Sequence, residues 1–297
     1  MSKKKILLTG INGQVGHALQ SHLTCFDCVG MSRKKLDLTN AQMIRRVIQE
    51  IKPDIIINPA AYTAVDKAES EPELAYAINA IAPGVIAEEA KKLGAALIHF
   101  STDYVYDGSK TTPYDEADEV NPISIYGKSK LAGEDAIRAV GIPHLILRTS
   151  WVYGAYGKNF LKTIVKLASE REELGIVADQ FGAPTSDLSI AEGVAKLLLK
   201  WLPEKEYMTG IYHLTNTGRT SWHGFACEIV KQYNKRVSLK VAERNIKPLT
   251  TADYPTPARR PANSCLNNKK LKSTFDFVLP SWQEGLKDVI QTMGINQ

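Results

Sequence analysis

A doubly wound α/β fold, a parallel sheet carrying a smaller C-terminal α/β lobe, follows from three features of the 297-residue sequence. Short apolar runs alternate with longer amphipathic stretches through the first half. The runs are almost continuously apolar, as strands buried on both faces must be. A glycine-spaced turn sits at the first strand-to-helix junction, where such folds grip a phosphate.

Taken in order, Lys5–Leu8, Cys28–Met31, Ile55–Ile57, Leu97–Phe100 and Leu145–Leu147 read as buried strands. Between them, helical spacing marks Val15–Leu23, Ala41–Ile51, Leu74–Leu93 and Tyr126–Ala139. The second half is less regular. Asn159–Ala168 and Ser186–Leu202 read as helices, Gly210–Leu214 as one more strand and Trp282–Met293 as a closing helix. Proline-containing loops, Tyr254-Pro255-Thr256-Pro257 and Arg260-Pro261, break the region between. No internal repeat or low-complexity segment stands out.

Apolar residues make up 44% and charged residues 23%, an ordinary globular mix with a core of normal size. The net charge of +5 is scattered along the chain. It suits an anionic small molecule such as a phosphate ester, and lacks the dense basic stripe of a nucleic-acid partner. Of the four cysteines, Cys25 and Cys28 have C-x-x-C spacing, but Cys227 and Cys265 are isolated, so a four-thiolate zinc site lacks its second pair. Buried or half-buried free thiols are expected. Ile6-Leu7-Leu8 is too short a run for a secretory leader, and nothing approaches a membrane helix. The expectation is a soluble protein of the reducing cytoplasm.

After the first strand comes Thr9-Gly10-Ile11-Asn12-Gly13-Gln14-Val15-Gly16. Gly10 permits the tight turn, Gly13 lets backbone approach a pyrophosphate, and Gly16 lets helix pack on strand, with Asn12, Gln14 and Val15 between them. A Rossmann-like dinucleotide site is therefore predicted in residues 1–150, to which 187–215 returns. Residues 151–186 and 216–297 are left as a substrate-binding lobe. About 20 residues past the loop, where an acid would hold an NAD ribose, stand Ser32, Arg33 and Lys34. Ser32 and Arg33 suit a 2′-phosphate, favouring NADPH over NADH; a solvated turn is the alternative. Asp37 and Leu38 follow and would border the adenine.

The sharpest signal is Tyr126-Gly127-Lys128-Ser129-Lys130 at the start of a helix. Spacing i, i+4 puts Tyr126 and Lys130 on one helical face. A neighbouring ammonium favours phenolate, so Lys130 is expected to bring the Tyr126 pKa down toward working pH. One strand earlier, Ser101-Thr102-Asp103-Tyr104 places hydroxyls at a strand's C-terminal end. Thr102 there could donate to a substrate carbonyl, or simply cap the strand.

Together these segments resemble the extended short-chain dehydrogenase/reductase family. Further matches are Asn58–Glu69, Arg148–Gly154, Asp179–Thr185 and Arg260-Pro261, which carry the resemblance through nearly the whole chain. The resemblance implies NADPH-dependent reduction of a keto group on a nucleotide-linked sugar, with Thr102, Tyr126 and Lys130 as the catalytic trio. It implies that Ala60, Ala61, Tyr62 and Thr63 pass the cofactor, where many relatives carry His in place of Tyr62, and that Asn79 supports the lysine through water. It implies that Val65, Asp103, Tyr104 and Trp151 line the sugar site, with a place in the core as the alternative for Val65 and Trp151. Arg260 would clamp the substrate diphosphate, with an ordinary ion pair as the alternative. Some relatives form a metal-bridged dimer through two glutamates. Ala18 and Thr292 fall at those places and cannot ligate a hard cation, so no metal and a monomer or weak homodimer are expected. An epimerase or another reductase on the same scaffold, or a non-catalytic NADP-binding regulatory subunit, are the competing readings.

Overall fold

A computed structural model describes residues 3–204 and 208–293. Residues 1, 2, 205–207 and 294–297, parts of the regions assigned above, lie outside the described residues. The first half runs β1 (Lys5–Leu8), α1 (Gln14–His22), β2 (Asp27–Gly30), α2 (Ala41–Ile51) and β3 (Ile55–Asn58). It continues through α3 (Val65–Ala68), α4 (Pro72–Tyr76), a π turn (Ala77–Ile81), α5 (Ala82–Leu93), β4 (Ala96–Thr102), α6 (Ile125–Val140) and β5 (His144–Thr149). The second half has β6 (Val152–Tyr153), α7 (Phe160–Glu170), β7 (Leu174–Val177), β8 (Phe181–Gly182), β9 (Thr185–Ser186) and α8 (Asp187–Trp201). It closes with β10 (Gly210–His213), β11 (Thr220–Ser221), α9 (Trp222–Tyr233), β12 (Ile246–Leu249), α10 (Lys269–Phe275) and α11 (Trp282–Thr292).

Six strands form one parallel sheet in the order β10-β5-β4-β3-β1-β2. Strand order reverses at β1, so the crevice beyond the C-terminal ends of β1 and β3 is where a ligand fits. Alternation sorts the strand residues onto two faces. Ile6 and Leu8 face α1, α8 and residues from α10, while Leu7, Ile56, Leu97 and Ile146 face α2, α5 and α6. Helix starts are set by local chemistry. Asn40 accepts from the Met43 N–H and Ser124 from the Gly127 N–H, and a Ser281–Glu284 capping box opens α11. The helix α9, with Phe225, Ala226, Ile229 and Val230 buried, stands in the region expected to be broken by loops.

The stretch 74–93 is not one uniform helix. Pro83 has no N–H to give the carbonyl of residue 79, and the turn before it widens to a π turn. The freed Asn79 carbonyl lies so close to α6 that a Cβ on Gly133 would come within 2.0 Å of it. Glycine at 133 is what lets α6 approach.

The next residue anchors that helix. Glu134 and Arg148 are fully buried and doubly bonded, Nε to Oε1 at 2.9 Å and Nη2 to Oε2 at 2.6 Å. Ser101 of β4 donates to the same carboxylate, and Arg148 Nη1 donates to the Tyr106 hydroxyl at 2.7 Å. Tyr106 in turn lies 3.0 Å from His213 Nε2 on β10. Arg148→Met should cost about 3–5 kcal/mol, because it strands a buried carboxylate. Adding Glu134→Leu to it should recover most of that loss, and urea unfolding of the two variants checks both values.

Candidate active site

The glycine loop turns as its spacing requires. Gly10 has φ +60°, and a Cβ on Gly16 would sit 2.2 Å from the Gly10 carbonyl oxygen. Helix α1 starts without a side-chain cap and without an acid in its first turn. Its first N–H groups are thus left for an anion. Over them opens a cavity of about 610 Å³.

That cavity gathers most of the residues expected at the cofactor. Gly10, Asn12, Gly13, Gln14, Val15 and Gly16 line one side, and Arg33, Asp37 and Leu38 the end past β2. Ala60, Ala61, Tyr62 and Thr63 form the wall after β3, and Tyr126 and Lys130 reach it from α6. Ser32 is not part of the lining; its carbonyl closes a turn by accepting from Lys35 and Leu36. Nor is Asn79, whose buried amide bonds the Tyr62 backbone at both N–H and carbonyl and the Ser129 hydroxyl. The lining also takes in Leu36, Thr149, Val152, Gly157 and Lys158, which the sequence reading missed. Lys158 follows a glycine in a loop between β6 and α7, and no spacing rule ties it to the glycine loop.

The cavity therefore fits an anionic dinucleotide. A glycine cradle and free helix N–H groups offer donors suited to a pyrophosphate, and Arg33, a phenol and an amine line the same cavity.

The expectation that Lys130 draws the Tyr126 pKa down is not met. Burial pushes the phenol up to about 12, Asp103 adds to this, and a hydrogen bond with Thr102 pulls the other way. The Lys130 amine is turned into the sheet, where it donates to the Phe100 carbonyl at 2.6 Å and lies 3.2 Å from His99 Nε2. Its own pKa is lowered to about 8 by burial, against the pull of Glu134.

Of the residues expected around a sugar, Thr102, Asp103, Tyr104 and Arg260 lie near one another and near Tyr126. Thr102 donates to Asp103 at 3.0 Å and accepts from the Tyr104 N–H at 3.1 Å. Asp103 is buried, with Oδ2 unpartnered, and its pKa is pushed up to about 7 by desolvation. The Tyr104 ring meets the Tyr126 ring edge-on at 5.7 Å. Trp151 adopts φ +48° and stacks on Trp222 at 3.6 Å. A Cβ on Gly182 would come within 2.5 Å of its ring, so glycine there makes room for it. Val65 opens α3, next to Asp66. Arg260 is engaged in an ion pair, Nη2 to Asp66 Oδ2 at 2.9 Å, and its buried Nε has no partner.

Elsewhere, the four cysteines are free thiols as expected, although Cys25 is exposed rather than buried. Ala18 and Thr292 both line a separate cavity of about 440 Å³ that also borders His17, Tyr156 and Asp187. Among the described residues no helix is long and apolar enough to cross a membrane.

A family model described as the RmlD substrate binding domain matches residues 4–295. The dTDP-4-dehydrorhamnose reductase of Burkholderia thailandensis is 47% identical, over 94% of this chain and 95% of its own. The enzyme of that name from Escherichia coli is 44% identical over 97% of each. The crystal structure of the Bacillus anthracis dTDP-4-dehydrorhamnose reductase in complex with NADP superposes with a TM-score of 0.91 at 41% identity, covering 98% of this chain and 99% of that one. With the glycine cradle, the Tyr126–Lys130 helix and the parallel sheet beneath them, the chain belongs to the dTDP-4-dehydrorhamnose reductase family, a family of oxidoreductases.

Proposed function

We propose that the protein reduces the C4 ketone of dTDP-4-dehydro-β-L-rhamnose to dTDP-β-L-rhamnose with NADPH, NADH serving less well, as a step toward cell-surface polysaccharide. The observation that carries this reading is the entry of Tyr126 and Lys130 into the same cavity as the glycine cradle. The cofactor, when bound, supplies the hydride. Gly10, Gly13 and the start of α1 hold its pyrophosphate, and Arg33, with Ser32 beside it, the 2′-phosphate. Leu38 and Asp37 border the adenine.

The chain's own chemistry is proton delivery. A phenol held near pKa 12 is fully protonated at neutral pH, so Tyr126 serves as the donor to the C4 oxygen. Thr102 orients the carbonyl, and Lys130 holds the cofactor ribose through its ammonium. Tyr104, Trp151 and Val65 shape the sugar site, with Asp103 beside them. Arg260 takes the substrate diphosphate, and must exchange or share its Asp66 partner to do so. In this division, residues 1–150 with 187–215 hold the cofactor, and 151–186 with 216–297 present the sugar. The enzyme works in the cytoplasm without a metal, as a monomer or weak homodimer.

Tyr126→Phe should bind NADPH nearly as well as wild type and lose turnover by a factor on the order of 10² or more. Consumption of NADPH with substrate generated in situ measures the second, fluorescence titration the first. Sugar interconversion without NADPH loss would instead mark an epimerase, and cofactor binding without any oxidation a regulatory subunit.

The pH dependence has a definite sign. Tyr126 keeps its proton across the working range, while the Lys130 ammonium is lost as pH rises through about 8. A profile of kcat/KM should be level below that pH and fall roughly tenfold per unit above it. Lys130→Met should show low activity without that limb, whereas a wild-type profile level to pH 10 would contradict the assignment.

A further inference from the structure

Three adjacent strands place one polar side chain each in a row beneath the cofactor cavity. Thr9 follows β1, Asn58 ends β3, and His99 lies in β4 as the cross-strand partner of Asn58. None is more than 2% exposed. The Thr9 hydroxyl donates to Asn58 Oδ1 at 2.6 Å, Asn58 Nδ2 lies 3.1 Å from His99 Nδ1, and His99 Nε2 lies 3.2 Å from Lys130 Nζ. Thr9 and Lys130, the two ends, both line the cavity.

Donors and acceptors along this row allow two complete arrangements. Burial and the neighbouring Lys130 hold His99 neutral, so only one ring nitrogen carries hydrogen. With Asn58 donating to Nδ1, that hydrogen sits on Nε2 and points at Lys130, which can accept only as the uncharged amine. A Lys130 ammonium has donors alone, so Nε2 must then accept and Nδ1 must carry the hydrogen. Asn58 then turns its carbonyl to His99 and its amide to Thr9. The Thr9 hydroxyl hydrogen is thereby released toward the cavity. Each arrangement pairs a donor with an acceptor at every link of the row, whereas a half-reversed row sets donor against donor or acceptor against acceptor at one buried link.

We propose that Thr9, Asn58 and His99 are positioning residues that reverse as one hydrogen-bond row when Lys130 gains or loses its proton, coupling the charge of the lysine to what Thr9 offers the bound cofactor. The coupling gives His99 a part in the reaction proposed above, on which this role rests. The other charged or titratable groups about the lysine are Glu134 and Tyr126 on its own helix, Asp103 beyond Thr102, and Arg148 of β5, already committed to Glu134. With its pKa near 8, the lysine visits both charge states close to neutrality.

The test is nitrogen NMR of the imidazole rings in the intact protein, without substrate, from pH 6 to 10. His99 is assigned by the signal lost in His99→Gln. The expected result is a neutral ring passing from Nδ1–H to Nε2–H around pH 8, and a single tautomer throughout in Lys130→Met. A single tautomer across the range in wild type, or a change that persists in Lys130→Met, overturns the proposal. Asn58→Asp supplies only acceptors when ionised, holds Nδ1–H, and should move the alkaline limb of turnover up by about one pH unit, a tenfold change in the lysine's equilibrium. An unmoved limb in that folded variant also counts against the row. The spectra need no substrate, so a wrong sugar leaves this result standing, and a fixed tautomer in a chain that still consumes NADPH sinks the row alone.

Discussion

The two-pronged bond between Glu134 and Arg148 is the constraint on which the active-site geometry depends. The cost of burying both charges is met only where the forks align, and here they do. Glu134 lies one helical turn beyond Lys130, which itself lies one turn beyond Tyr126, so fixing Glu134 fixes how far along the sheet α6 stands. Ser101 and Tyr106 extend the contact to β4 and the loop after it, and His213 carries it to β10. Gly133 completes the arrangement by allowing contact with the π turn. The groups proposed to react are thereby carried on rigid elements, and loops supply the surroundings.

Burial also decides what those groups are. An isolated Tyr-x-x-x-Lys suggests a phenol softened by a nearby ammonium. In the folded chain the amine turns inward, and the phenol, deprived of water, holds its proton more tightly. That outcome suits the proton-donor role proposed for Tyr126. Asp103 shows the same influence, its carboxyl driven up to about 7 by desolvation.

Much of this was legible beforehand. Alternating apolar runs located the first five strands within a residue or two, because a strand buried on both faces has little freedom of composition. The glycine loop was legible because its backbone has no alternative residue at Gly10 and Gly16. What escaped was tertiary. Lys158 and Thr149 reach the cavity through the fold rather than through spacing, and the Asp66 partner of Arg260 lies 194 residues away. The polar row reads, one strand at a time, as a stray Thr, Asn and His. Helix α9 was different. Trp222, Phe225, Ala226, Ile229 and Val230 carry helical spacing behind the Ser221 cap, a signal present in the sequence but hidden among short loop-like neighbours.

One arrangement bears on how the chain is made. The first five strands have been synthesised by residue 149, yet one side of their sheet is covered largely by Ile190–Trp201 of α8 and by Leu271, Phe275 and Leu279. A ribosome must read about 40 further codons to reach α8 and over a hundred to reach Leu271, at a pace of about 5–20 residues per second. For several seconds the growing polypeptide shows an oily, unclad flank. Segments made later therefore supply the cover that makes the first strands safe to release.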